Sequence, residues 1–278
     1  MSGTLVLVPT PIGNLGDISP RAAEALETAD FIAAEDTRVS IKLLNHLGLK
    51  KQLVSYHEHN KVESGPHILN RLLSGETCAL VTDAGTPAIS DPGEDLVRLC
   101  RENGVPVTAI PGPCAAITAL AISGLPTGRF TFEGFLSVNK RSRREHLQSL
   151  LEETRTMIFY EAPHKLTGTL EDMQSAFGAD RPICLCRELT KLHEEAVKTT
   201  LGEALRYYQD NAPRGEYVLI LGGAAPKAAA VPTLEDCLQQ VSVLRQQGLS
   251  LKDAVKQVSR ASGIARNRLY DAALGAQD

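Results

Sequence analysis

Short apolar runs alternate with charged, helix-like stretches along most of the chain. In the N-terminal part the apolar runs are TLVLV (4–8), DFIAAE (30–35), CALVT (78–82) and PVTAI (106–110), each bounded by Gly, Pro or Asp. Runs of this length with such boundaries are typical of buried parallel strands. The pattern predicts an α/β domain over residues 1–124.

The alternation resumes after Gly124. TMIFYE (156–161), ICLCREL (183–189) and EYVLIL (216–221) have the pattern of strands, and HKLTGTLEDMQSAFG that of a helix. We therefore expect a second α/β domain over 125–222. GGAAPKAAAVP (222–232) has the composition of a linker, and helical periodicity near 234–247, 250–261 and 266–274 predicts a helical tail over 231–278.

Composition agrees with a soluble protein of two domains. The chain has 278 residues, of which 43% are hydrophobic and 22% charged. It contains no apolar run of about 18 residues, and MSGTLVLVPT lacks the features of a signal peptide. We therefore expect a cytoplasmic protein without a membrane partner. The six cysteines form no C-x-x-C pair, which favours neither zinc nor disulfides.

Three loops rich in Gly and Pro follow predicted strands. PTPIGN follows the first strand, DAGTP follows the strand at 78–82, and PGPCAA follows the strand at 106–110. Ligands of open parallel sheets bind at the carboxyl ends of strands, so we expect one crevice lined by all three loops. The dinucleotide and phosphate-loop motifs are absent, which leaves a nucleotide-like ligand without phosphates. Downstream, Asp91 and Pro92 have the chemistry of an N-cap and a first-turn proline for the next helix.

Six motifs follow one another along the chain: VPTPIGNLGDIS, AAEDTR, VTDAGTPAISDPG, PGPCAAITAL, FYEAPHKL and GEYVLIL. In this the chain resembles the tetrapyrrole methylase superfamily, and within it the bacterial methyltransferases of small-subunit ribosomal RNA. The resemblance implies two α/β domains with S-adenosyl-L-methionine in the cleft between them, a homodimer, and 2′-O-methylation of a cytidine in the decoding region of 16S rRNA. TDAGTPAIS stands where tetrapyrrole-modifying relatives carry a GGDPFVF-like loop, which disfavours a porphyrin-like substrate.

The resemblance also implies which residues bind the cofactor. The DAGTP segment would line the methionine side, the segment after the strand at 106–110 would approach the adenosine, and the second domain would contribute its FYEAP and RGE motifs. The residues concerned are Pro9, Asp83, Ala84, Gly85, Thr86, Pro87, Cys114, Ala115, Tyr160, Glu161, Gly215 and Glu216.

Candidates for the reaction itself lie at two strand ends. Asn14 is in PTPIGN, and Asp36 and Arg38 are in AAEDTR beside Glu35. A carboxylate there could orient a ribose or accept its proton. The alternative for Asp36 is a helix N-cap with Arg38 as its ion-pair partner. Nearby, His57 and His59 would face the same side of a strand, but without further ligands we expect a polar rim rather than a metal site.

Two basic segments are candidates for RNA contact. KRSRR supplies Lys140, Arg141, Arg143 and Arg144 at the start of a predicted helix, where cations oppose the helix dipole and indicate an external anion. In the tail, a helix–turn–helix outline carries Lys256, Arg260, Arg266 and Arg268. A solvated helix end and a dimerisation hairpin are the respective alternatives.

Three functions are therefore compatible with the sequence. The first is a 2′-O-methyltransferase acting on 16S rRNA or the small ribosomal subunit. The second is a small-molecule methyltransferase of the same superfamily, and the third is a non-catalytic RNA-binding protein that retains the crevice. The basic tail disfavours the second function, and the intact series of crevice motifs disfavours the third.

Overall fold

The computed structural model of the protein describes residues 2–225 and 233–275. These residues form two compact units that divide after Ala224. Most of the predicted linker, 226–232, lies outside the described residues. Within the described ranges, no helix has both the length and the apolar character needed to cross a membrane.

The first unit contains two sheets, of which the first is wholly parallel. Its strands are β1 (Leu5–Leu7), β2 (Phe31–Ala34), β3 (Gln52–Ser55), β4 (Cys78–Val81) and β5 (Val107–Ala109), in the order β3-β2-β4-β1-β5. The helices that follow them along the chain are α1 (Pro20–Thr28), α2 (Thr37–His46), α3 (Lys61–Leu73), α4 (Glu94–Glu102) and α5 (Ala115–Ile122).

Both faces of this sheet are buried. Along β2, Phe31 and Ala33 belong to one hydrophobic core while Ile32 and Ala34 belong to the other. Successive side chains of a strand point to opposite faces, so a strand covered on both sides must be apolar at every position. This explains why β2 and β4 are continuous apolar runs in the sequence.

The second sheet is mixed. Its strands are β6 (Phe130–Phe135), β7 (Thr156–Glu161), β8 (Pro182–Arg187), β9 (Glu195–Thr200) and β10 (Tyr217–Leu221), in the order β6-β7-β10-β8-β9. Only β6 and β7 pair in parallel; the other neighbours are antiparallel. The accompanying helices are α6 (Lys140–Ser149), α7 (Leu166–Phe177) and α8 (Leu201–Asp210).

Helix α5 packs against the second sheet although it follows the last strand of the first. Ala116, Ala119 and Leu120 share a core with Ile158 of β7 and Ile220 of β10. The opposite face of the sheet packs against α6, α7 and α8. The predicted domain boundary at 124 thus falls after a helix that is packed on the second sheet.

The second unit is a small helical domain. It consists of α9 (Leu234–Gln246), α10 (Leu251–Ser262) and α11 (Arg266–Gly275), close to the predicted helices. Cys237, Val241, Val255 and Leu269 are among the buried residues of its core. Gly263 ends α10 in the left-handed conformation that commonly closes helices.

Two details differ from the sequence prediction. Strands β3, β6 and β9 were not predicted, and all three lie at sheet edges. In addition, α4 begins at Glu94 with Gly93 as its cap, rather than at Asp91 and Pro92. The φ angle of Gly93 is +148°, far from helical values, so the helix cannot extend back through this residue.

A buried carboxylate joins α6 to α7. Asp172 is 5% exposed, and its Oδ2 accepts hydrogen bonds from Arg143 Nε (2.8 Å) and Nη2 (2.6 Å). Its Oδ1 accepts from Arg144 Nε at 3.0 Å. Arg141 instead pairs with Glu145 on the exposed face of α6, at 2.8 Å. Arg143 and Arg144, predicted to contact RNA, thus share the single negative charge of Asp172; Arg143 is mostly buried, whereas Arg144 remains exposed.

We predict that Asp172→Asn destabilises the protein by about 2–3 kcal/mol, because the guanidinium of Arg143 loses its charged partner in a half-buried position. Urea denaturation followed by circular dichroism measures the loss. Glu145→Gln is the matched control: it removes an exposed pair from the same helix and should change stability little. Equal effects of the two substitutions would contradict the structural role of Asp172.

Candidate active site

The three predicted crevice loops follow strands that are neighbours in the first sheet, β4, β1 and β5. The loops are hydrogen-bonded to one another. Thr10 and Gly85 exchange two backbone hydrogen bonds of 2.9 and 3.0 Å, and Thr86 Oγ1 donates to the Pro113 carbonyl at 2.9 Å. The structure therefore brings the three segments together at one edge of the sheet.

The loops after β1 and β5 approach closely at Pro9. A Cβ atom added to Gly112 would lie 2.3 Å from Pro9 Cγ, which is shorter than any allowed contact. Only glycine fits at position 112 without a shift of one of the loops. The loops after β1 and β5 can therefore pack this closely only because residue 112 has no side chain.

Three carboxylates lie beside these loops, at the carboxyl ends of β2 and β4. The backbone N–H of Asp83 donates to Glu35 Oε2 at 3.3 Å, and the N–H of Asp36 donates to Asp83 Oδ1 at 3.1 Å. These reciprocal bonds tie the AAEDTR loop to the DAGTP loop. They also hold three negative charges beside the crevice.

The local environments of these carboxylates differ. Burial raises the pKa of Glu35, and the nearby charges of Asp91, Asp83 and Asp36 add to this effect. Burial likewise raises the pKa of Asp83 and of Asp91. Asp36 behaves oppositely, because hydrogen bonds from Arg38 lower its pKa to about 2. Glu35 is therefore a stronger base than its sequence neighbour.

Asp36 caps helix α2. Its Oδ1 accepts the backbone N–H of Arg38 at 2.8 Å, and the Arg38 guanidinium binds the same carboxylate, with Nη2 2.6 Å from Oδ2. This is the capping alternative considered from the sequence. Asn14 has a similar local role, since its Oδ1 accepts the N–H of Gly16 at 2.9 Å.

The second sheet contributes Tyr160 to the crevice. Its hydroxyl accepts the Ala116 N–H at the start of α5, at 3.1 Å, and its ring packs against the same hydrophobic core as Ile12 and Cys114 of the crevice loops. Burial raises the pKa of Tyr160 to about 12, so the hydroxyl remains protonated at neutral pH.

Glu161 points away from the crevice. Consecutive strand residues face opposite sides of a sheet, and the Glu161 side chain is directed towards α7. Its carboxylate accepts hydrogen bonds from Thr169 Oγ1 at 2.5 Å and from the Ala162 N–H at 2.9 Å. The structure therefore brings only Tyr160 of this predicted pair to the crevice.

Gly215 and Glu216 precede β10, at the end of the sheet where β7 and β8 finish. The N–H of Glu216 donates to Glu188 Oε1 at 3.0 Å, and Lys191 Nζ lies 3.0 Å from that oxygen and 2.9 Å from Glu216 Oε2. A Cβ on Gly13 would lie 2.6 Å from Lys191 Cγ, so the turn after β8 touches the loop after β1.

Lys191 and Glu188 were not found from the sequence. Their segment, RELTKLHEE, is charged throughout and lacks an apolar pattern. The signal available in the sequence is that this segment begins at the end of the predicted strand ICLCREL, as the crevice loops begin at the ends of theirs. His57 and His59 also differ from expectation: β3 ends at Ser55, and both rings lie in the following loop with centroids 6.1 Å apart.

The helical domain has one buried and one basic side. Its apolar side chains fill the core, while the four predicted RNA-binding residues are exposed: Lys256 and Arg260 on α10, and Arg266 and Arg268 on α11. Cations on the solvent side of two short helices are available to an external partner.

Comparison with known proteins gives two family matches. Residues 4–205 match the tetrapyrrole (corrin/porphyrin) methylases, and residues 232–277 match the RsmI C-terminal HTH domain. Solved structures agree in fold: the methyltransferase CobJ superposes with a TM-score of 0.59 at 21% identity, covering 83% of this chain and 98% of its own.

Two curated relatives carry the name ribosomal RNA small subunit methyltransferase I. The protein of Synechocystis sp. is 46% identical over 272 residues, which is 98% of either chain. That of Escherichia coli O157:H7 is 44% identical over 277 residues, covering 99% of this chain and 96% of the relative. The chain belongs to the tetrapyrrole methylase family and, within it, to the family of ribosomal RNA small subunit methyltransferase I.

Proposed function

We propose that the protein transfers a methyl group from S-adenosyl-L-methionine to the 2′-hydroxyl of a cytidine in 16S rRNA. The observation that carries the proposal is the crevice formed by the loops after β4, β1 and β5, with carboxylates along one edge. The name of the two relatives supports small-subunit rRNA as the substrate, and the resemblance of the motifs supports the cytidine 2′-hydroxyl.

The residues of the crevice fit this cofactor. A sulfonium carries positive charge and is favoured beside Glu35, Asp36 and Asp83. The loops offer small side chains and backbone groups, which suit an adenosine without phosphates. The residues that would hold it are Pro9, Asp83, Ala84, Gly85, Thr86, Pro87, Cys114, Ala115, Tyr160, Gly215 and Glu216.

When bound, the cofactor supplies an activated methyl group, so the protein has two tasks. It must hold the ribose 2′-oxygen in line with the methyl carbon, and it must accept the proton that this oxygen loses. We assign the second task to Glu35. Its Oε2 accepts the Asp83 N–H, which leaves Oε1 to receive the proton.

Asp36, Arg38 and Asn14 serve the reaction as positioning residues. Asp36 fixes the start of α2 and, through its own N–H, the carboxylate of Asp83. Arg38 completes the ion pair with Asp36. Asn14 holds the turn that follows the loop after β1.

The helical domain would bind rRNA through its exposed basic side chains. The match of residues 232–277 to a helix–turn–helix domain supports this role. The resemblance further supports a homodimer, for which the exposed Ile117 and Ile122 of α5 provide apolar surface. An rRNA substrate favours action in the cytoplasm, either on 16S rRNA or on the small ribosomal subunit.

The direct test is methyl transfer from radiolabelled S-adenosyl-L-methionine to small ribosomal subunits and to naked 16S rRNA from cells that lack this activity. We expect label on one ribose, located by nuclease mapping. Calorimetric titration with the cofactor accompanies the assay. Cofactor binding without transfer to either RNA substrate would rule out the proposed activity.

A glycine pair shows whether the cofactor binds in the crevice. Gly112→Ala should weaken its binding about tenfold or more, because the new methyl group displaces Pro9. Gly128→Ala is the control, since its Cβ would meet no atom within 4 Å. Equal affinity of both variants would place the cofactor elsewhere.

The role of Glu35 can be separated from that of Asp36. Glu35→Gln should lower kcat about a hundredfold because the proton acceptor is lost, whereas cofactor affinity should fall far less, because Asp36 and Asp83 keep their negative charges beside the sulfonium. A base acts when ionised, so wild-type kcat/KM should fall as the pH drops through a pKa above the usual ~4.3 for glutamate. Glu35→Gln should remove this dependence.

Asp36→Asn is the matched control, because asparagine keeps the capping oxygen and loses only the charge. We expect a much smaller decrease in kcat than for Glu35→Gln. The opposite ranking of the two variants would assign the proton transfer to Asp36.

Charge reversal tests the helical domain. Arg266→Glu with Arg268→Glu should raise KM for rRNA about tenfold and flatten its salt dependence, leaving cofactor affinity unchanged, because phosphate contacts dominate such binding. Arg245→Glu, an exposed residue of α9, is the control. An unchanged KM in the double variant would exclude these two arginines from RNA contact.

A further inference from the structure

Strand β6 contains an irregularity that redirects one aromatic side chain. Phe132 pairs with Ile158 of β7, but the register shifts between Phe132 and Gly134, so that Phe135 pairs with Tyr160. Gly134 has a φ angle of +63°, which glycine adopts without strain. Residues three apart in a regular strand face opposite sides, whereas this β-bulge places Phe132 and Phe135 on the same side.

The result is a row of three rings. Tyr160 lies between its neighbours, with ring centroids 5.2 Å from Phe132 and 5.5 Å from Phe135, both in edge-to-face geometry. Phe132 packs against the same hydrophobic core as Ile12 and Cys114 of the crevice loops, and the hydroxyl of Tyr160 accepts a hydrogen bond from the first turn of α5. Phe135 ends the row and is 57% exposed. A phenyl ring is thus held one ring away from the crevice with much of its surface in solvent.

Positive charge lies at the same end of the sheet. Because β6 and β7 are parallel, the segments after both strands emerge at one edge. Lys140 and Arg141 begin the helix that follows β6, and Lys165 follows β7. An open groove of about 710 Å³ is lined by Lys140, Arg141, Arg144, Glu145 and Gln148.

We propose that Phe135 is the stacking platform for a base of the RNA substrate, with Lys140 and Arg141 contacting the adjacent phosphates. Proteins that bind single-stranded RNA combine an exposed aromatic ring with a basic groove. A base stacked on Phe135 would bring its nucleotide to the edge of the crevice that Tyr160 borders. This assignment rests on the proposed rRNA substrate.

The bulge accounts for the exposure of the ring. If the pairing were regular, Glu133 would lie opposite Phe159 and Phe135 opposite Glu161, and the side chain at 135 would face the helices α6–α8, where a phenyl ring would be buried in the core. Burial would also be the more stable outcome for the isolated protein. Exposure of this ring therefore makes the free energy of folding less favourable. In the proposal, binding of a flat, apolar ligand surface offsets this loss. The flanking cations select a polyanion as the molecule that carries this surface.

The test uses the full-length protein with Phe135→Leu, which keeps apolar bulk but removes the ring, and Phe135→Tyr, which keeps the ring. Phe130→Leu is the control, at the opposite end of the same strand and 39% exposed. Three experiments are made: calorimetric titration with S-adenosyl-L-methionine, steady-state kinetics with the rRNA substrate, and titration of a short single-stranded RNA that carries 2-aminopurine, whose fluorescence quenching also gives the Kd.

We expect Phe135→Leu to raise KM and the oligonucleotide Kd about tenfold and to abolish quenching, because base–aromatic stacking is lost. Cofactor affinity should not change. Phe135→Tyr and Phe130→Leu should resemble the wild type.

Two results would overturn the proposal. Oligonucleotide affinity within twofold of wild type in Phe135→Leu would show that the ring does not stack on RNA. A conversion of dimer to monomer by this variant in sedimentation velocity would assign the ring to a protein interface. If the wild type itself methylates no rRNA, the proposed function fails, and with it the RNA ligand of Phe135; an active wild type with an unaffected variant removes only the stacking role.

Discussion

The packing of α5 against the second sheet is the contact on which the crevice depends. This helix begins directly after the PGP segment that follows β5, so its position fixes that loop. Ala116, Ala119 and Leu120 are buried among side chains of the second sheet, and the Tyr160 hydroxyl accepts a hydrogen bond from the first turn. Small residues allow close approach of helix and sheet, and the apolar contact is non-directional. The hydrogen bond to Tyr160 supplies the direction. The PGP loop therefore follows a strand of the first sheet, but packing of α5 on the second sheet fixes its position.

The alternation of side chains along the strands then decides which residues the second sheet contributes. Ile158 and Tyr160 face α5 and the crevice loops, while Phe159 and Glu161 face the helices on the other side. A sequence motif such as FYE therefore divides between Tyr160, which faces the crevice loops, and Glu161, which bonds within the fold. The bulge in β6 changes this alternation locally and gives Phe135 the face of Tyr160.

Much of this arrangement could be predicted from the sequence. Interior strands such as β2, β4, β7 and β10 are apolar at nearly every position because both faces are covered. The edge strands β3, β6 and β9 were not predicted, because many of their side chains are exposed or only partly buried. Polar residues at these positions interrupt the apolar pattern. The crevice loops were found from their breakers and their places after strands. That β4, β1 and β5 are neighbours could not be found, because strand order depends on packing of distant segments.

The role of a charged side chain is the property that residue type predicts least well. Arg143 lies in a run of cations, yet Asp172, 29 residues away in sequence, binds it inside the fold. Glu35 and Asp36 are adjacent, yet the pKa of one is raised by burial and that of the other lowered by Arg38. In both cases a partner or a degree of burial that the linear pattern does not contain sets the role of the charge.

The raised pKa of Glu35 also suits the proposed reaction as a matter of charge balance. Before transfer, an ionised Glu35 would face a positively charged sulfur, and the two charges stabilise each other where water is partly excluded. With the cofactor bound, transfer would replace the methyl–sulfur bond by a bond to the 2′-oxygen and leave the sulfur neutral, and Glu35 would accept the proton of the 2′-hydroxyl. Both charges would then disappear together. A carboxylate with an ordinary pKa in open solvent would be harder to protonate at the end of this step, whereas one in a half-buried acidic cluster gains from becoming neutral. In the proposed reaction, the cluster would favour the charged state of Glu35 while the cofactor carries its methyl group and the neutral state after transfer.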